Sequence, residues 1–363
     1  MPASDPLPQG IPPPRANPLL LGQEAAEAAL LAAAGTGRLA HAWLFTGPQG
    51  IGKATLAFRF ARYLLAGGQD PGLFGAPASL AIDPGLPVFK RVASGGHADL
   101  RTIERPYDDK RQRLRSEIPV DDVRVVSPFL AATAAEGGWR IVIIDGADAM
   151  NRNAANALLK ILEEPPERAM LILTASRPSA LPATVLSRCR RLVMPRLSDA
   201  VVMQLARQML PVLADSEAAA LATASEGSIG RAIMLAEQGG LAAERRIAQL
   251  LDGLTSLPLE KILKLCEEAA SAEEGRGFAL TSESLRRWLG RVVRAAAGGP
   301  DPRVEETKDT ERIRGVAKAA SLDRWLEVWD NTSRLLSQVE HANLDRKQAL
   351  LSIILGLRSV LGR

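Results

Sequence analysis

Gly47-Pro48-Gln49-Gly50-Ile51-Gly52-Lys53 decides how this chain is read. A run of the form G-x-x-x-x-G-K-[S/T] cradles phosphates because its glycines let successive backbone N–H groups face the ligand. The lysine reaches the outer oxygens and the closing hydroxyl holds Mg²⁺. Here the closing position is Ala54, which has no oxygen, and Thr55 lies one residue further on, about 100° around a helix. Gly47, Gly50, Gly52, Lys53 and Thr55 therefore mark a degenerate nucleotide-binding loop: the shape is kept and the hydrolytic fitting is not. Residues 41–45 read as a short buried strand entering the loop and residues 54–65 as a helix leaving it, which is the setting the motif needs.

Working outward, residues 24–34 carry a helical alanine and leucine pattern. Residues 67–94 are dense in Gly and Pro and read as an irregular insertion. Arg140-Ile141-Val142-Ile143-Ile144-Asp145 is a β-branched run of the kind buried on both faces of a parallel sheet, residues 153–163 read as a helix stopped by Pro165-Pro166, and residues 169–175 as another buried strand. Strands alternating with helices predict an α/β domain with a parallel sheet, followed by helical sequence to the end of the chain.

The second half of an ATPase site is an apolar strand ending in Asp-Glu, the Asp organising Mg²⁺ and the Glu polarising the attacking water. This chain has Asp145 but then Gly146, which offers no side chain, and Asp148 stands two residues on. A metal-side hydroxyl and a base are thus missing at two separate motifs, which predicts an inactive site.

Gly22-Gln23, the run 39–48, Asn156-Ala157-Leu158-Leu159-Lys160-Ile161-Leu162-Glu163-Glu164-Pro165-Pro166 and Leu186-Ser187-Arg188-Cys189-Arg190 occur in this order. Together they resemble bacterial DNA polymerase III clamp-loader subunits of the AAA+ class, over residues 18–240. The degenerate loop makes the resemblance one to the delta-prime type, and less to the ATP-hydrolysing gamma/tau type. The resemblance implies a flexible tail (1–17), an AAA+ α/β domain (18–195), a small helical lid (196–240) and an all-α collar (241–363) that packs with sister subunits. It implies that Arg188 is an arginine finger acting in trans, that Thr174 and Arg231 occupy the two sensor positions, and that ATP or ADP is held weakly. The implied partners are the gamma/tau and delta subunits, with the sliding clamp and primer-template DNA reached through the complex. Many members carry a four-cysteine zinc module where this chain has residues 67–94; that stretch holds neither Cys nor His, so no zinc is expected.

A net charge of +4 on 363 residues, with acids and bases interspersed, disfavours an autonomous nucleic-acid binder. The charged run from Arg105 to Arg115 is diluted by Asp108, Asp109 and Glu117 and reads as a solvated loop. Cys189 and Cys266 form no ligand cluster and fit a reducing compartment, and residues 1–15 resemble neither a signal peptide nor a membrane span, so the expected location is cytoplasmic with no membrane partner. The expected function is a non-hydrolysing stator subunit of the clamp loader. The alternative is an active ATPase subunit of the same complex or another AAA+ ATPase.

Overall fold

The computed structural model describes residues 11–36, 39–68, 79–108, 113–210, 213–237, 241, 247, 250, 251, 253–271, 276–299, 308–342 and 344–362. They fall into two compact units, Met1–Asp215 with Gly227–Arg231, and Ser216–Glu226 with Ala232–Arg363.

The first unit is built on a five-stranded sheet in the order β2-β5-β6-β1-β7, with every pairing parallel. Its strands are β1 (Ala42–Thr46), β2 (Leu100–Ile103), β5 (Arg140–Ile144), β6 (Ala169–Ala175) and β7 (Arg190–Val193). The β-branched run read from sequence is central, and its side chains alternate between two cores as a period of two requires. Trp43, Phe45, Ile141, Ile143, Met170 and Ile172 face one core, under α1 (Glu24–Gly35), α2 (Lys53–Leu65) and α3 (Pro87–Ser94). Leu44, Val142, Ile144, Leu171 and Leu173 face the other, under α4 (Val120–Arg124), α5 (Val126–Ala131), α6 (Arg152–Ala157) and α7 (Leu159–Glu163). The α/β class with a parallel sheet is therefore as expected.

Four local expectations need correction. Part of the 67–94 insertion is helical: α3 begins with Pro87 in its first turn, buries Val88, Phe89 and Val92, and ends on Gly95 at φ 76°. Proline at a helix start and glycine at its end are capping signals, so a stretch dense in both can bracket a short helix. Residues 69–78 of that insertion lie outside the described residues. The single helix expected over 153–163 is two, α6 and α7, meeting at Leu158. Residues 11–17, expected within a flexible tail, pack: Asn17 is buried, and the buried Arg62 donates to Arg15 O at 2.8 Å and Asn17 O at 2.9 Å. The rest of that tail, 1–10, is not described. The charged run contains an antiparallel pair, β3 (Tyr107–Asp108) with β4 (Arg113–Leu114), and its residues 109–112 lie outside the described ones.

α8 (Ala183–Leu186) and α9 (Asp199–Met209) follow in the first unit, and then α10 (Asp215–Ser225) and α11 (Ile229–Glu237) in chain order. The second unit is helical. α12 (Leu259–Ser271), α13 (Arg276–Ala296), α14 (Lys308–Ala317), α15 (Leu322–Ala342) and α16 (Arg346–Leu361) enclose a core of Ile262, Leu285, Leu289, Trp325, Leu336, Leu350 and Leu357. Trp325 is fully buried, meets Trp288 edge to face at 6.3 Å, and donates its indole N–H to Ala317 O at 3.1 Å, so its one polar atom is satisfied inside the core. Among the described residues no helix is long and apolar enough to cross a membrane.

Candidate functional site: a degenerate phosphate loop

The loop turns at the carboxyl end of β1 and delivers the chain into α2, whose first N–H groups have no helical acceptor and so form a ready anion site. Two glycines are required there by space. A Cβ on Gly47 (φ 152°) would stand 2.3 Å from Met194 O, and one on Gly50 (φ 75°) would stand 2.3 Å from Ser228 Oγ and 3.2 Å from Gly230 Cα. Gly230 donates its N–H to Gly50 O at 3.0 Å. The turn before α11 thus lies directly on the loop. Arg231 is in the first turn of α11, its N–H donating to Ser228 Oγ at 3.2 Å, next to the Gly230 that meets the loop.

Lys53 is where the site departs most from a waiting phosphate binder. Its ammonium donates to Gly47 O at 2.9 Å, Pro48 O at 2.6 Å and Ser176 Oγ at 2.9 Å, so all three protons are spent within the chain. Ser176, one residue past β6, escaped the sequence reading; its signal was its place two residues beyond Thr174. Burial pushes the Lys53 pKa down to about 8, with Asp145 and Asp148 pulling it back up.

Between about pH 8 and the ordinary lysine value of 10.5, the unfolded chain still holds a proton that folded Lys53 has released. Stability contributed by this position therefore rises with pH through that window, by a total on the order of 3 kcal/mol. Urea denaturation of the wild type and of Lys53→Met at several pH values is the measurement. The stability of the wild type relative to the variant is expected to climb from pH 8 to 10.5, and a difference that stays flat would show that burial does not perturb this ammonium.

The acidic half of the site is closed in the same way. Thr174 donates its hydroxyl to Asp145 Oδ1 at 2.6 Å and accepts from Gly146 N at 2.9 Å. The expected sensor and the metal-side carboxylate are thus neighbours. Gly146 sits at φ 74° and opens a 3-10 turn over Ala147–Ala149, so the position of the missing base differs in backbone as well as in side chain. A glutamate there would pay roughly 1–2 kcal/mol for the left-handed conformation. Asp148 is held elsewhere: its two oxygens accept from Ser176 N at 3.3 Å and Arg177 N at 3.1 Å. Thr55 lies 9% exposed in the first turn of α2.

These residues fit a phosphate group: the glycine turn, the helix N-terminus and Lys53 are assembled. For its Mg²⁺ they offer Asp145, whose Oδ1 accepts from Thr174, and no oxygen at position 54. Among the described residues, no group of three or more His, Cys, Asp or Glu side chains is placed to hold a metal ion.

Arg188 follows α8, away from the loop residues in sequence. Its Nη2 meets Glu163 Oε1 at 2.7 Å, and its Nη1 donates to Thr184 O at 3.0 Å and to Ser187 Oγ at 3.4 Å. Glu163 is the last residue of α7, and nothing in its local sequence points to Arg188, 25 residues further on. Beside Arg188, burial pushes the Cys189 thiol up to about 11, so it remains protonated and unreactive at neutral pH.

Residues 22–198 match the family described as DNA polymerase III, delta subunit. The chain is 34% identical over 228 residues to the DNA polymerase III subunit delta' of Pseudomonas aeruginosa, covering 63% of this chain and 64% of that one. It is 29% identical over 279 residues to the subunit tau of Escherichia coli, covering 74% and 40%. With the subunit delta' of Bacillus subtilis it shares 33% identity over 157 residues, covering 43% and 42%. The matches thus span less than two thirds of each relative's own length. On a parallel α/β sheet, residues 22–198 thus carry the match to that family, and the chain is similar to DNA polymerase III subunits of the delta' and tau kind.

Proposed function

We propose that this chain is the non-hydrolysing stator of a clamp loader. It completes a neighbouring subunit's ATP site with Arg188 and joins its sister subunits, of the gamma/tau and delta kinds, through a helical collar over 241–363. Residues 196–240 form the small helical lid, and the complex as a whole meets the sliding clamp and primer-template DNA in the cytoplasm. The observation that carries the reading is the satisfied state of the degenerate site: Lys53 is bonded to Gly47 O and Pro48 O, Asp145 to Thr174, and Asp148 to backbone amides. In such a site the ammonium and both carboxylates already hold partners within the chain, and the closing hydroxyl and the glutamate of an active site are absent. An ATP or ADP phosphate entering the loop must first take Lys53 from two carbonyls, which makes any nucleotide binding weak.

The test is ATP turnover by the purified chain. Background hydrolysis is expected, and Ala54→Ser with Gly146→Glu is not expected to restore it, because the second substitution falls on a left-handed backbone and no neighbour supplies a finger. Turnover on the order of 1 s⁻¹, ordinary for an enzyme, would overturn the reading in favour of an active ATPase subunit, the alternative favoured by the likeness to tau over 74% of the chain.

A further inference from the structure

We propose that Glu163 is a holding site for Arg188, keeping the finger on its own chain until a neighbour's phosphates compete for it. The inference rests on the finger reading and names the residue that regulates it. Glu163 closes α7, where Pro165-Pro166 stop the helix, and Arg188 leaves the end of α8, so two helix ends set carboxylate and guanidinium face to face at 2.7 Å. The second nitrogen is occupied by Thr184 O, a carbonyl of the short α8, and by Ser187 Oγ.

A guanidinium in contact with a carboxylate presents almost no net charge to a third group. To stabilise charge developing on a phosphoryl group, Arg188 must therefore exchange Glu163 for the phosphate oxygens, with which it makes the same forked hydrogen bonds. The exchange is easy in this place. The two side chains are 36% and 52% exposed, so water and salt screen the pair. Exposed pairs bias an equilibrium by no more than roughly fivefold. That is too little to lock the finger and enough to lower its idle engagement. A triphosphate carries several negative charges against one on Glu163, so close approach of the neighbour's nucleotide tips the exchange. Glu163 thus acts as a positioning residue and touches no substrate.

The experiment is steady-state ATP hydrolysis by the assembled complex, with and without clamp and primed DNA, for wild type, Glu163→Gln, Arg188→Ala and the double variant. Glu163→Gln is expected to raise turnover in the absence of clamp and DNA by up to about fivefold through kcat, with KM for ATP unchanged, and to change the stimulated rate less. In the double variant the increase is expected to vanish, leaving the Arg188→Ala rate. A merely structural role for Glu163 would neither raise turnover nor depend on Arg188. The proposal is overturned if Arg188→Ala lowers turnover while Glu163→Gln leaves the unstimulated rate at or below wild type. It is equally overturned if the gain persists in the double variant. An Arg188→Ala complex at the wild-type rate removes the finger reading itself, which is a separate outcome.

Discussion

Arg188→Ala, assembled with its sister subunits, is expected to lower ATP turnover of the complex and to lower clamp loading further. A finger supplied in trans is worth roughly 10³ to 10⁵ in rate at the site it completes. On the stator reading only one of several sites loses it, so the expected fall in total turnover is partial, while loading, which on that reading needs the sites in concert, is expected to fall more. The fold should be indifferent, because among the described residues the Arg188 side chain bonds Glu163, Thr184 O and Ser187 Oγ at the surface, and an exposed pair contributes at most about 1 kcal/mol. Arg188→Lys should rescue incompletely, since an ammonium has no planar fork with which to grip two phosphate oxygens. The measurements are ATP hydrolysis and clamp loading by the mutant complex at matched assembly. Wild-type values for both would reduce Arg188 to a surface arginine.

Removing residues 241–363 is expected to abolish assembly while leaving a folded remainder. Both cores of the sheet are formed within residues 26–194, so the deletion takes nothing from them. What it removes is the helical core around Trp325, Leu285 and Leu350, together with Leu326, Leu344 and Leu355, large apolar side chains that lie 38–45% exposed. Apolar surface of this kind on a helical unit is what subunit contacts bury. Co-purification with sister subunits, scored by stoichiometry, measures the loss, and circular dichroism of the truncated chain checks the fold. A truncated chain recovered in full stoichiometry would mean that the first unit carries the interface.

The degenerate loop could be read from the chain because everything that defines it is local. Glycine spacing, a lysine at a fixed offset, the alanine after it and a glycine after Asp145 are facts of neighbouring residues. The central strands β1, β5 and β6 were equally legible, since burial on both faces leaves an unbroken apolar run. The edge strands β2 and β7 were not, because each is short and exposes arginines, Arg101 in one and Arg190 and Arg191 in the other. A strand at an edge owes its existence to its partner more than to its composition.

The partners inside the site belong to tertiary structure. Lys53 meets Ser176 across 123 residues, Gly230 lies on Gly50 from 180 residues further on, Asp148 holds amides beyond β6, and Glu163 holds Arg188 between two helix ends. Sequence alone determined which chemical groups this protein has lost, because an absent hydroxyl or carboxylate is absent in any conformation. Only the folded chain decided how the remaining groups are used, because a charge or hydrogen-bond donor taken out of water binds the acceptor that packing brings within about 3 Å, and no spacing along the chain specifies which acceptor that is.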